Sequence, residues 1–148
     1  MTVVDASIVV RLLSARGDDD PLRKRFAASS LAWHAPAHLD IEVYSAVVGM
    51  LRGSKIDKDR AHRMVGQFRD LRITRHWLSP LGDRLVRLRH NFTAHDAAYV
   101  ALAEILGHPL LTCDAKFARA PTNAHSVEIH TYPGLRLRRR PGPVHGKH

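Results

Sequence analysis

With 148 residues, 45% of them apolar, the chain suits one domain built around a single hydrophobic core. Its one cysteine, Cys113, excludes an intramolecular disulfide and any zinc site made of several thiolates. The formal net charge of +9 fits either a polyanionic partner or a merely solvated basic surface, and no apolar run is long enough to cross a bilayer, the best candidate being Val43–Leu51.

In chain order, Thr2–Val4 reads as a short buried strand that reaches an acid, Asp5, before any basic or long apolar stretch. No signal peptide is therefore expected, and a cytoplasmic protein is. Ala6–Leu13 has helical periodicity with Asp5 placed to cap it. A loop follows at Gly17–Asp20, and Pro21 opens a second helix to about Ser29. Leu31–His34 is a strand candidate closed by Pro36. Leu39–Leu51 and Asp57–Leu71 form a helical hairpin turning at Gly53–Ile56. Ile73–Trp77 is a strand, and Ser79-Pro80 starts a helix to about His90. The next helix begins at Thr93 or Ala94 and ends at Gly107. Pro109–Thr112 is a strand, Ala115–Arg119 a short helix and Val127–His130 a last strand. Strands alternating with helices predict an α/β fold with a mostly parallel central sheet. The domain spans residues 1–134, closed by Pro133-Gly134; residues 135–148 form a basic tail rich in Pro and Gly, expected to be disordered. That tail supplies five of the nine net positive charges, leaving the domain itself at +4.

Four of the fourteen acids stand in apolar or small-residue surroundings: Asp5, Glu42, Asp96 and Asp114. Asp5 and Asp114 each follow an apolar strand directly, which places both at the carboxyl edge of a parallel sheet, where such folds bind ligands. Glu42 and Asp96 lie in the first turns of helices that can face the same rim. Two carboxylates about 5 Å apart repel by roughly 3 kcal/mol at an effective dielectric near 20, so four together need protons or a cation. An all-oxygen site suits Mg²⁺ or Mn²⁺. Taken singly, each acid has a simpler reading: Asp5 and Asp114 are good helix caps, and Glu42 and Asp96 suit helix N-terminal dipoles. Eleven histidines keep a metal-free ribonuclease open, with His34 and His38 four apart and His95 beside Asp96. A non-catalytic module binding nucleic acid or protein through its basic tail is the other alternative.

With these residues in place, the chain resembles the PIN-domain nucleases and, among them, the VapC-type toxins of bacterial toxin–antitoxin pairs. The matching motifs are Val3-Val4-Asp5-Ala6-Ser7, the segment Pro36–Val43 around Glu42, Thr93–Ala103 around Asp96, and Pro109–Arg119 around Asp114. They run in the family's order over about residues 1–133. The resemblance implies an α/β/α sandwich and a Mg²⁺- or Mn²⁺-dependent endoribonuclease whose metal pocket is lined by Asp5, Glu42, Asp96 and Asp114. It gives Ser7 and Thr112 supporting roles beside those acids. Many relatives carry a further acid where this chain has Lys116, which is expected either to touch RNA phosphate or to be a solvated helix residue. Arg136, Arg138, Arg139 and Arg140 are candidate grips on the RNA backbone. A homodimer and a cognate antitoxin are implied as partners. The antitoxin is expected to lie across the Leu39–Leu71 hairpin, with a basic side chain reaching the acids. The apolar run Val43, Val47, Val48 and Leu51 is left to serve core, dimer or antitoxin groove.

Overall fold

The computed structural model of the protein describes residues 1–14, 21–28 and 33–132. The loop expected at Gly17–Asp20, the end of the second helix at Ser29, the Leu31 end of the second strand and the basic tail lie outside the described residues. In chain order the elements are β1 (Thr2–Val4), α1 (Ala6–Ser14), α2 (Pro21–Ala28), β2 (Trp33–Pro36), α3 (Leu39–Arg52), α4 (Lys58–Asp70) and β3 (Ile73–His76). A 3-10 turn (Ser79–Leu81) then leads into α5 (Gly82–Arg87), α6 (Ala94–Leu106), β4 (Leu110–Thr112), a second 3-10 turn (Ala115–Arg119) and β5 (Ile129–Thr131). No helix among the described residues is long and apolar enough to cross a membrane.

The five strands form one sheet in the order β3-β2-β1-β4-β5, and all its pairings are parallel. Parallel crossovers are right-handed, so the steps β1 to β2 to β3 carry their helices over one face. The step from β3 back across the sheet to β4 carries its helices over the other. The packing agrees: α1 lies on α3 and α4, while α6 lies across β1, β2 and β4 with α5 behind it. The result is the expected α/β/α sandwich. Strand order reverses at β1 and β4, which is where sheets of this kind form a ligand crevice outside the carboxyl ends of the strands.

Burial explains why these segments take these places. Val3, Val4, Leu110 and Leu111 are buried in the two central strands. Every residue from Ala97 to Ala103 is buried, because small side chains let α6 lie close on the sheet. On α3, Val43 and Val47 enter the core, whereas Val48 and Leu51 stay exposed with Ile41. The apolar run is thus divided between core and surface.

Three boundaries differ from the sequence expectation by more than one residue. The second strand continues through Pro36, which pairs with His76; at the strand's last residue a missing N–H costs little. The helix expected to reach His90 is split and ends at Arg87. Pro80 and Gly82 weaken its start, and the chain turns after Leu88 so that Phe92 packs 5.9 Å from Phe117, centroid to centroid. The last strand is shifted to Ile129–Thr131, because its register is set by Leu110 and Thr112 of β4. At the hairpin turn the left-handed residue is Ser54 (φ 56°), not Gly53 (φ −81°).

Candidate active site

Asp5 leaves β1 at the crevice and is almost fully buried, at 5% exposure. The register of β1 with β4 sets Val4 beside Leu111, so Asp5 meets Thr112 across the strand pair. Its carboxylate accepts hydrogen bonds from Ser7 Oγ at 2.6 Å, from the Ile8 backbone N–H at 3.2 Å and from Thr112 Oγ1. Burial pushes the Asp5 carboxyl above its ordinary range against those three donors, and the charge of Asp114 adds to the push. The bond to Ile8 is also a helix cap. The cap reading and the pocket reading therefore describe the same carboxylate.

Two hydroxyls knit β1 to the end of β4. Thr112 is fully buried, donates to Asp5 and accepts the Asp114 N–H at 2.9 Å. Ser7 Oγ donates to Asp5 and accepts the Cys113 N–H at 2.8 Å. Asp114 in turn caps the 3-10 turn that follows, accepting the Lys116 N–H at 3.0 Å.

Asp96 approaches from the N-terminal turn of α6. Thr93 caps that helix, accepting the Asp96 N–H at 3.3 Å and donating to Asp96 Oδ2 at 3.1 Å. The ammonium of Lys116 lies 3.0 Å from Asp96 Oδ2 and 3.2 Å from Asp114 Oδ2, so one cation joins the two carboxylates. This corrects the expectation of a merely solvated residue. Burial alone would lower the Lys116 pKa, but the hydrogen bonds and charges of the two aspartates outweigh it and raise it.

Glu42 stands one helical turn after His38. Its Oε1 lies 2.7 Å from His38 Nε2 and accepts the Tyr99 hydroxyl at 3.3 Å. His38 Nε2 is also 3.0 Å from the His95 carbonyl oxygen, so with two acceptors facing it this nitrogen carries the proton. Tyr99 is buried, and burial with the charges of Glu42 and Asp5 holds its hydroxyl un-ionised far above the usual range. Tyr99 thus stands between the Glu42 end of the site and the Asp5 end. The neighbouring acid Asp40 pairs with Arg75 at 2.9 Å and turns away to structural use.

The crevice therefore gathers Asp5, Ser7, Thr112, Asp114, Lys116 and Asp96 into one connected set, with Glu42 joined through Tyr99. Sequence reasoning missed the parts of Tyr99, Thr93 and His38; only the His38–Glu42 spacing of four carried a local signal. Arg136, Arg138, Arg139 and Arg140 lie outside the described residues. His34 and His38 flank the turn between β2 and α3 but do not act together. His34 Nδ1 lies 2.8 Å from His76 Nε2, away from Glu42's partner.

Asp5, Asp96 and Asp114, with the hydroxyls of Ser7 and Thr112, offer oxygen, the donor type a hard divalent cation takes. The Lys116 ammonium already sits between two of those carboxylates, so the rim accepts positive charge. Among the described residues, no group of three or more His, Cys, Asp or Glu side chains stands close enough to hold a metal ion; the aspartates are linked pairwise, Asp5 to Asp114 by charge and Asp114 to Asp96 through Lys116.

Comparison with known proteins gives a consistent result. Residues 2–123 match the model of the PIN domain. The chain is 36% identical over 129 residues to Ribonuclease VapC12 of Mycobacterium tuberculosis, covering 87% of this chain and 97% of that one. It is 39% identical over 126 residues to Ribonuclease VapC3 of the same organism, covering 84% and 90%. Among solved structures it is similar to PAE2754 from Pyrobaculum aerophilum, with a TM-score of 0.65 at 20% identity over 86% of this chain and 81% of that one. It is also similar to VapBC2 from Rickettsia felis bound to a DNA fragment from their promoter, with a TM-score of 0.64 at 14% identity over 88% and 97%. At such identities the structures speak for the fold alone.

Proposed function

The chain belongs to the PIN-domain family, among its VapC ribonucleases, and on that premise we propose that it is a Mg²⁺- or Mn²⁺-dependent endoribonuclease, the toxin of a toxin–antitoxin pair. The observation that carries this reading is a chain of pairs beside the strand-order reversal: Asp5 feels the charge of Asp114, and the Lys116 ammonium joins Asp114 to Asp96. Asp5, Asp96 and Asp114 would hold the ion, with Glu42 at the far side of Tyr99. The chemistry such an ion supplies is neutralisation of phosphate charge and a lowered pKa for the attacking water.

The protein's own part is positioning and proton handling. Ser7 and Thr112 fix both oxygens of Asp5, so the carboxylate meets its ligand without reorganising. Thr93 holds one oxygen of Asp96, Oδ2. Glu42, held by His38 and Tyr99, or Asp114 would take the proton from water attacking the scissile phosphorus in line. The expected ends are a 5′-phosphate and a 3′-hydroxyl.

The proposed partners are RNA, a cognate antitoxin across the α3–α4 hairpin, and a second copy of the chain. Ile41, Val48 and Leu51 offer the antitoxin exposed apolar surface on α3. The test compares wild type with Asp96→Asn on structured RNA, with Mg²⁺ or Mn²⁺ and with chelator. Cleavage should require metal, fall by a factor on the order of 100 or more in the variant, and leave 5′-phosphates. Chelator-resistant cleavage with 2′,3′-cyclic ends would move the chemistry to histidine and overturn the reading.

A further inference from the structure

Among the described residues, Lys116 is the crevice side chain whose placement the proposed chemistry does not use. Its ammonium is within 3.2 Å of both Asp96 and Asp114, while its own backbone N–H holds the other oxygen of Asp114 at 3.0 Å. The side chain thus folds back over a carboxylate that its main chain already anchors. The two acids come from distant elements, the start of α6 and the end of β4, and the ammonium lies between them. The side chain is nevertheless 49% exposed, so its stem is free to swing toward solvent. In the folded-back position it also lies 5.8 Å from the centroid of the Phe117 ring.

We infer that Lys116 is a tethered counter-ion in the cation position between Asp96 and Asp114, and that a divalent metal loads only when its ammonium swings out. The inference rests on the metal-site reading above. Without metal, one ammonium offsets the repulsion between two carboxylates that the fold forces together. When a divalent ion arrives, lysine and metal compete for the same oxygens. A tethered competitor weakens apparent affinity by the fraction of time the site is open. Lys116 therefore makes the site selective for conditions in which metal is abundant, or in which a polyanion draws the ammonium away. A bound RNA phosphate is such a polyanion, so substrate and metal would load cooperatively.

The experiment measures Mn²⁺ affinity by isothermal titration calorimetry, and thermal stability in chelator, for wild type, Lys116→Gln, Lys116→Arg and Asp96→Asn, all without RNA. Removing a competitor present nine-tenths of the time would tighten Mn²⁺ binding by about tenfold in Lys116→Gln. The same variant should melt lower than wild type in chelator and recover with Mn²⁺. Lys116→Arg keeps the charge and should stay near the wild-type affinity. Equal or weaker Mn²⁺ binding by Lys116→Gln, with binding still lost in Asp96→Asn, would overturn the Lys116 inference and leave the metal site standing. Absence of Mn²⁺ binding by wild type and Lys116→Gln alike would overturn both.

Discussion

At the scale of single residues, Asp5 shows how a site can oppose the fold that holds it. Burial disfavours its charge more than Ser7, Thr112 and Ile8 favour it. Its folded pKa is raised, so the folded chain retains a proton that the unfolded chain has lost. Stability from this group is fully present below the unfolded value of about 3.8 and declines as pH rises through the raised folded value. Asp5→Asn removes that penalty. At neutral pH without metal, its melting temperature should equal or exceed that of wild type, whereas cleavage should be lost. A marked fall in scanning calorimetry would mean that the carboxylate is net stabilising. Thr112 works the other way, because its hydroxyl serves Asp5 and the Asp114 N–H at once. Thr112→Val should cost about 1–3 kcal/mol in urea unfolding by leaving buried polar groups short of partners.

At the scale of elements, the acids are delivered by strand ends and helix starts, and the caps are what aim them. Thr93 both closes the N-terminus of α6 and holds Asp96. Thr93→Ala should therefore cost about 1 kcal/mol of stability. It should also lower kcat beyond what that loss explains, read at a temperature where both proteins are folded. At the other end of α6, Gly107 takes a left-handed conformation (φ 65°) with nothing within 4 Å of where a Cβ would sit. Gly107→Ala should cost about 1–2 kcal/mol, through backbone conformation alone. Ser54, left-handed at φ 56°, is the mirror case. Ser54→Gly should raise the melting temperature, because glycine adopts that conformation without the Cβ clash.

At the scale of the whole molecule, topology and charge act together. The sheet reverses order at β1 and β4, so Asp5 and Asp114, from opposite ends of the chain, leave neighbouring parallel strands at the same edge. The chain carries a net charge of +9, five units of it from the last fourteen residues. A net positive charge of this size draws a polyanion to the protein. If the tail grips RNA, replacing Arg136, Arg138, Arg139 and Arg140 together by Gln should flatten the dependence of log affinity on log salt. On single-stranded RNA the slope should fall by about 0.7 for each phosphate that the variant no longer neutralises. Unchanged affinity and slope in filter binding would assign the grip to the domain instead.

Alternation of apolar strands with periodic helices was enough to read the α/β class, the helical hairpin and most element positions, because burial imprints its period on the chain. The same logic singled out Asp5, Glu42, Asp96 and Asp114, since an acid in an apolar setting signals a compensating partner nearby. What those partners are depends on contacts across long stretches of chain. That Tyr99 reaches Glu42, that Thr112 holds Asp5 from 107 residues away, and that Lys116 bridges Asp96 to Asp114 follow from strand register and helix placement. The early end of α5 and the shifted β5 have the same origin: packing on Phe117 and pairing with β4 override local preference. Local patterning determines which segments bury a face, whereas only the packed chain decides which charge meets which, because Coulomb energies and hydrogen bonds depend on distances in space.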